Sequence, residues 1–348
     1  MPSSSFDMFF ACTILVAAAL IATAFLGSTM QARIADTQDA NKVSYLKAIA
    51  DRIVMNPGEP SDWGTSSGLP SDFGLATSGS IKAYEIDADK IARLSNQSLN
   101  MFSYPDLVNT AQLSNIALGV TLSQLGTLNV LQINNSTNGS NTSFTFQISA
   151  SINSKPSDSI LHCYISANGY LNTANGTTSS NGIGNISFQI PSAEVATAYL
   201  FVFARATFDD RITSFAVYNF AASSQELISN NSVFALDTVS HQIGLNQNST
   251  KLENRSCYLF SYSSLQPLNF RQASNECSFP NTVNSSPIIL SLWGLNNSLQ
   301  IQQWVSYPLM PLKAGANFQG QEQNVFSYIV TVNDVLYRLD LSLGDLPS

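Results

Sequence analysis

The stretch FFACTILVAAALIATAFL, Phe9 to Leu26, carries no charged residue and no helix breaker. With its flanks from Phe6 to Met30 it reaches the roughly 20 apolar residues that a bilayer-spanning helix needs. A removable secretory signal would open on basic residues and close a shorter apolar core with a small-residue cleavage site. Ahead of this run stand Met1 to Met8, with no Lys or Arg and one acid, Asp7. Beyond Leu26 the pattern continues without a break. Ile34, Val43, Leu46, Ala50 and Ile53 recur near helical spacing, with Arg33, Asp36, Lys42, Lys47 and Asp51 between them. Asn56-Pro57-Gly58 then ends the helix, because proline lacks the donor and pushes the residue before it out of helical geometry. The spacing predicts one helix from about Phe6 to Met55, roughly 75 Å long. Residues 1–30 would form its membrane part and 31–56 an amphipathic continuation.

A carboxylate at the edge of such a run costs a few kcal/mol unless it is paired or reaches the interface. Asp7 either sits among headgroups as a favourable charge near the helix N-terminus or pairs with the α-amino group of a neighbouring copy. Self-association through this helix is therefore expected at Phe6, Asp7, Phe9 and Phe10, with membrane lipid and further copies as partners.

Residues 57–115 read as a Pro/Gly-rich patch and a short helical connector opened by Asp87 and Asp89. From Ile116 the character changes to short aromatic and β-branched runs separated by Asn, Gly, Ser and Pro. About seven runs lie in 116–221, among them the alternating Phe144-Thr145-Phe146-Gln147-Ile148-Ser149. A second set occupies 222–348, with Ala222–Asn231 as a polar linker. Within it, Phe326–Val332 and Val335–Leu341 flank Asn333-Asp334, a two-residue hairpin signal. The fold expected is mainly β: a long N-terminal helix followed by two antiparallel, immunoglobulin-like β-sandwich domains.

Charged residues make up only 11% of the chain, the net charge is −8, and no Lys/Arg cluster occurs, which argues against nucleic-acid binding. The positive-inside rule, applied to the cations after the apolar run, would hold the body in the cytoplasm. Its richness in Asn, Ser and Thr and its poverty in Lys and Glu favour an exterior face instead. Asn-x-Ser/Thr sequons begin at Asn96, Asn134, Asn135, Asn138, Asn141, Asn175, Asn185, Asn230, Asn248, Asn254, Asn284 and Asn296.

Cys257 and Cys277 are candidates for a disulfide worth about 3 kcal/mol, Cys12 lies within the apolar run, and Cys163 is left over. No cysteine or histidine spacing suits a structural zinc, and no cofactor motif appears. His162 and Cys163 are adjacent on an expected strand, so their side chains point to opposite faces and disfavour a nucleophile pair. No nucleophile elbow or His-Glu-x-x-His occurs, and no catalytic set is assigned. Glu85, Asp87, Asp89 and the pair Asp209-Asp210 read first as caps and turn formers, with calcium as the alternative. Trp63, Trp293, Trp304, Tyr199, Tyr328 and Tyr337 read as core, with a carbohydrate-binding face as the alternative.

Three patches together resemble archaeal type IV pilin-like surface proteins. They are Ser5-Phe6-Asp7 leading into the apolar helix, Pro57-Gly58-Glu59-Pro60-Ser61-Asp62-Trp63-Gly64 with Gly74-Leu75-Ala76, and Ile86-Asp87-Ala88-Asp89-Lys90-Ile91. The resemblance covers roughly the first 120 residues. It implies helix packing among copies or with other pilin-like subunits, at the surface of the cell. The basic leader ending in a processing glycine that such proteins carry does not precede Ser5, so a singly anchored, pilin-derived surface protein is expected. A membrane-anchored binding module for carbohydrate or a protein partner is the alternative.

Overall fold

The computed structural model describes residues 3–113, 115–167, 169–192, 197–221, 234–245, 253–271, 276–280, 287–296, 299–318 and 323–345. It is mainly β, with one long N-terminal helix, and falls into two compact units, Met1–Asp51 and Arg52–Ser348. Helix α1 (Ser3–Met55) is unbroken for 53 residues, about 80 Å at 1.5 Å per residue. Of the residues at helical spacing, Ile34 and Val43 are exposed, whereas Leu46, Ala50 and Ile53 are buried, as is Val54.

Two short helices follow, α2 (Ala88–Arg93) and α3 (Tyr104–Thr110). Asp87 caps α2 by accepting the N–H groups of Asp89 and Lys90, and Ser103 caps α3 through the N–H of Asp106. The segment just before α2 is seated on a sheet edge. Ile86 N–H donates to Thr331 O at 2.8 Å and Thr331 N–H to Tyr84 O at 2.9 Å.

Among the described residues the named strands pair antiparallel and form five sheets. In the first, Asn141–Ile152 pairs with Gly126–Asn138 on one side and with Ile183–Pro191 and Lys155–Pro156 on the other. The second runs in the order Tyr170–Thr177, Ser159–Ala167, Thr197–Ala206, Thr213–Ala221. Their inner faces make a sandwich core of Phe144, Phe146, Ile148, Ile165, Leu200, Val202 and Phe220, with Phe144 and Phe146 each 5.0 Å from the Phe220 ring. The alternation of 144–149 is the mark of a strand with one face in that core.

The second sheet is covered on its back as well. A third sheet, Leu265–Leu268, Glu253–Ser261, Ile288–Asn296 and Leu299–Tyr307, lays Phe260 on Phe201 at 4.5 Å and on Tyr164 at 5.5 Å. Tyr164 Oη donates to Ser261 O at 2.9 Å, and Gln302 Nε2 to Ser166 Oγ at 2.8 Å. Double coverage explains why Ala198–Ala204 is a continuous buried run and does not alternate.

The expected division at 221/222 does not follow sheet membership. Ile116–Gln124, expected in the first sandwich, pairs with Val335–Asp345 and Leu312–Gly315 in a fourth sheet, completed by Gln323–Val332. Partners this far apart leave no local trace in the periodicity. The hairpin at Asn333-Asp334 forms as expected, with φ of 47° and 65° at the two turn residues and Val332 opposite Val335. A small fifth sheet joins Phe234–Asp237, Gln242–Leu245, Glu276–Ser278 and Phe270–Arg271. The expected linker Ala222–Asn231 lies wholly outside the described residues.

Candidate functional site

Met8–Gln31 is long and apolar enough to cross a membrane, and none of it is buried within the chain. Phe9 and Phe10 are exposed at 68% and 63%. The hydroxyls in this window bond back along the helix: Thr13 Oγ1 to Phe9 O, Thr23 Oγ1 to Ala19 O and Thr29 Oγ1 to Phe25 O at 3.0 Å, and Ser28 Oγ to Phe25 O at 2.9 Å. Each polar group is thereby satisfied internally, as hydrocarbon requires. Phe6 and Asp7 lie on the helical backbone, but their side chains are outside the described residues.

Below the last turn of α1 the Pro/Gly patch forms a socket. Trp63 is fully buried and its indole N–H donates to Gly74 O at 2.9 Å. Its ring meets Phe102 at 5.2 Å and Phe73 at 5.6 Å. A Cβ on Gly74 would stand 2.1 Å from Asn56 O, and one on Gly64 would stand 2.7 Å from Lys90 N. These two glycines let backbone meet backbone.

Two cations are buried in this socket. Lys90 Nζ donates to Pro57 O at 2.8 Å and Ala76 O at 2.7 Å. Arg93 donates from Nε to Asn100 O and from Nη2 to Gly68 O, both at 3.1 Å, and from Nη1 to Trp63 O. Burial lowers the pKa of both. They spend their charge on loop carbonyls and present none of it to a ligand.

The acids that open α2 reach further. Tyr307 Oη donates to Asp89 Oδ1 at 2.7 Å, and His241 Nε2 lies 3.3 Å from Asp89 Oδ2. The hydrogen bond to the Asp89 carboxylate raises the His241 pKa against the opposing effect of burial, with the charges of Asp89, Asp237 and Asp87 adding to it. Burial and the neighbouring carboxylate raise Tyr307 well above the usual phenol range. Burial, then Asp89, raises Asp87. Lys90, Arg93, His241 and Tyr307 were not singled out as a unit by sequence reasoning. His241 lies 152 positions from Asp89 and Tyr307 lies 218 away, and no spacing rule connects them.

The remaining sequence candidates are dispersed. Cys163 faces the sandwich core, where burial pushes its thiol up to about 12. His162 faces the other way, stacked 4.4 Å from Tyr262, with its pKa lowered by burial and by Arg205. Asp209 is held by Arg211 and Glu85 by Ser80. Among the described residues no group of three or more His, Cys, Asp or Glu could hold a metal ion. Cys257 and Cys277 form a disulfide with Cα atoms 6.5 Å apart, tying the third sheet to the fifth. Cys12 is exposed and unpaired. Trp63, Trp293, Tyr199, Tyr328 and Tyr337 are buried, whereas Trp304 is half-buried.

Asn96, Asn134, Asn135, Asn138, Asn141, Asn175 and Asn185 are exposed. Asn230, Asn248 and Asn284 lie outside the described residues, as do the side chains of Asn254 and Asn296.

No family model matches this chain, and no curated protein does. Among solved structures it is similar to a red sea bream transglutaminase, at 10% identity and a TM-score of 0.22, over 53% of this chain and 31% of that one. It is also similar to HBP35 of Porphyromonas gingivalis, at 13% identity and a TM-score of 0.18, over 54% of this chain and 64% of that one. The alignments thus span under two thirds of either protein, and likeness at this level carries no functional argument.

Proposed function

We propose that this is a single-span cell-surface protein of pilin-like type, structural or adhesive in role, self-associating through its N-terminal helix with the β-rich body outside the cell. One observation carries the reading: an apolar helix, exposed along its whole membrane-length window, whose hydroxyls are satisfied by its own carbonyls. The pilin-like opening around Ser5-Phe6-Asp7 and the exposed sequons support the surface assignment. Neighbours in the membrane would be lipid and other copies or pilin-like subunits.

Cys12 provides the test, because the other described cysteines are paired or buried. Mild oxidation of native membranes should yield a Cys12-linked dimer, absent in Cys12→Ser and reduced in Asp7→Ala. A chain that stays monomeric, or cross-links equally in Cys12→Ser, would refute self-association. Protease added to intact cells should degrade the body; protection would refute the outward orientation.

A further inference from the structure

Natural sheets blunt their open edges with lysine, proline, a bulge or a very short edge strand. Several edges in this body follow that practice. Leu265–Leu268 carries Pro267, and Lys155–Pro156 is two residues long and ends on proline. Leu312–Gly315 is short and carries Lys313, and Gly126–Asn138 has a register shift between Gln132 and Asn134. Gln323–Val332, QNVFSYIVTV, does none of this. It is ten residues long, holds no charge and no proline, and pairs with Val335–Asp345 without a register shift as the outer strand of the fourth sheet. Val325 and Ile329 stand on it 50% and 54% exposed.

Backbone direction along this strand decides which of its groups face outward. Thr331 turns its N–H and C=O away from Val335–Asp345, toward Tyr84 O and Ile86 N–H. Alternate residues repeat that direction. Gln323, Val325, Ser327 and Ile329 therefore point their backbone groups off the sheet, and among the described residues no backbone group answers them. The edge is open from 323 to 329 and closed at Thr331 by the chain's own segment 84–86. Nearby charges are already paired: Arg338 Nε lies 3.0 Å from Asp340 Oδ1, and Lys82 Nζ lies 2.6 Å from Asp334 Oδ1. Neither pair brings net charge to the edge, so these pairs set up no repulsion between like copies.

We propose that this edge pairs with the same edge of a second copy, continuing the fourth sheet across a two-fold axis. The pairing extends an edge already in use, since segment 84–86 occupies its end at Thr331. Each copy's segment 84–86 also stops the other's strand. The longest antiparallel match then sets Gln323 opposite the partner's Ile329 and Val325 opposite the partner's Ser327, with Phe326 on the axis. The facing residues exchange about eight hydrogen bonds in this register. Half-buried Phe326 meets its counterpart at a non-hydrogen-bonded position, with Cα atoms about 4.5 Å apart, where aromatic pairs stabilise a sheet. A foreign strand could answer the same backbone groups. Only a second copy brings an edge of equal length, stopped at the same place. The seam is smaller than the roughly 1,200 Å² of durable complexes, so the dimer is reversible. It goes beyond association through α1 and needs no contribution from that helix.

Register-specific cross-linking of the full chain in native membranes tests this. The background is Cys12→Ser, in which no exposed thiol remains, because Cys163 is buried and Cys257 is bonded to Cys277. Gln323→Cys and Ile329→Cys, both at exposed positions, are made on separately tagged chains and co-expressed. Facing residues of a hydrogen-bonded pair have Cα atoms about 5.5 Å apart, within disulfide reach. Like residues would stand six positions apart along the seam, roughly 20 Å. Mild oxidation should therefore link the two differently tagged chains, and neither variant expressed alone should link to itself. Val325→Pro keeps the ladder to Val335–Asp345, because its lost N–H faces away from that strand. Added to both chains, it should slow the linking about tenfold, since the symmetric seam loses two hydrogen bonds. No mixed dimer would overturn the proposal, as would linking of either variant to itself at the same rate. Indifference to Val325→Pro, or adducts to another protein in place of the mixed dimer, would overturn it equally. Loss of the Cys12 cross-link with this seam intact would sink association through α1 alone, and the converse would sink the seam alone.

Discussion

Replacing Arg93 with methionine should be among the most damaging single changes in the body. The guanidinium is 2% exposed and answers three backbone carbonyls, those of Trp63, Gly68 and Asn100. It also stands 4.7 Å over the Phe102 ring and 5.7 Å over Trp63. Methionine matches much of the stem and fills most of the space, so the cavity contribution is small. What is lost is the partner of three carbonyls, each costing about 1–3 kcal/mol when stranded in the interior. Relief of the cost of burying a charge offsets part of this, leaving a net loss of about 3 kcal/mol. Against a total stability of about 5–15 kcal/mol, that is a substantial share. Urea unfolding of the full chain in detergent, followed by tryptophan emission, would measure it. The midpoint should fall at constant m, and Arg93→Lys should recover only part of the loss, because an ammonium cannot reach three divergent carbonyls. A loss under about 1 kcal/mol for Arg93→Met would refute the reasoning, since it would mean those carbonyls find water as readily as they find arginine.

Three further outcomes are expected. The His241 pKa is raised in the folded state, so its pairing with Asp89 contributes fully below the ordinary histidine value of about 6.5 and is lost as pH rises through the folded pKa. Thermal stability should therefore decline on that alkaline side in the wild type and stay flatter in His241→Gln. Imidazole NMR should show His241 titrating above the ordinary value and His162 below it, and the reverse order would count against both assignments. Cys257→Ser with Cys277→Ser opens a crosslink of sequence separation 20 and should cost about 3 kcal/mol by loop entropy, read as a drop in urea midpoint that reductant reproduces in the wild type.

Much of the architecture is legible in local pattern. The apolar run and its amphipathic continuation announce α1, and Asn333-Asp334 between alternating flanks announces the last hairpin. Asp87 reads as a cap and is one. What escapes is whatever depends on distant partners. Tyr170–Thr177 is a strand written as Tyr-Leu-Asn-Thr-Ala-Asn-Gly-Thr, with the turn-type residues Asn172, Asn175 and Gly176 within it, and it is held in place by Ser159–Ala167. Ala198–Ala204 departs from alternation because a third sheet covers its back, and only the assembled layers disclose that. Lys90 and Arg93 look in sequence like the solvated charges of a short helix. They are buried because Gly58, Gly64 and Gly74 draw backbone close enough to need donors.

The pairing of Ile116–Gln124 with Val335–Asp345 has a consequence for biogenesis. A nascent chain emerging N-terminus first would expose the earlier strand long before its mate is synthesised, so that seam can close only once residues up to 345 have been made. Contacts this remote slow folding and leave open edges waiting. A ribosome that stops short of residue 335 would release a polypeptide with an unfinished seam, recognisable to quality-control proteases by that bare edge.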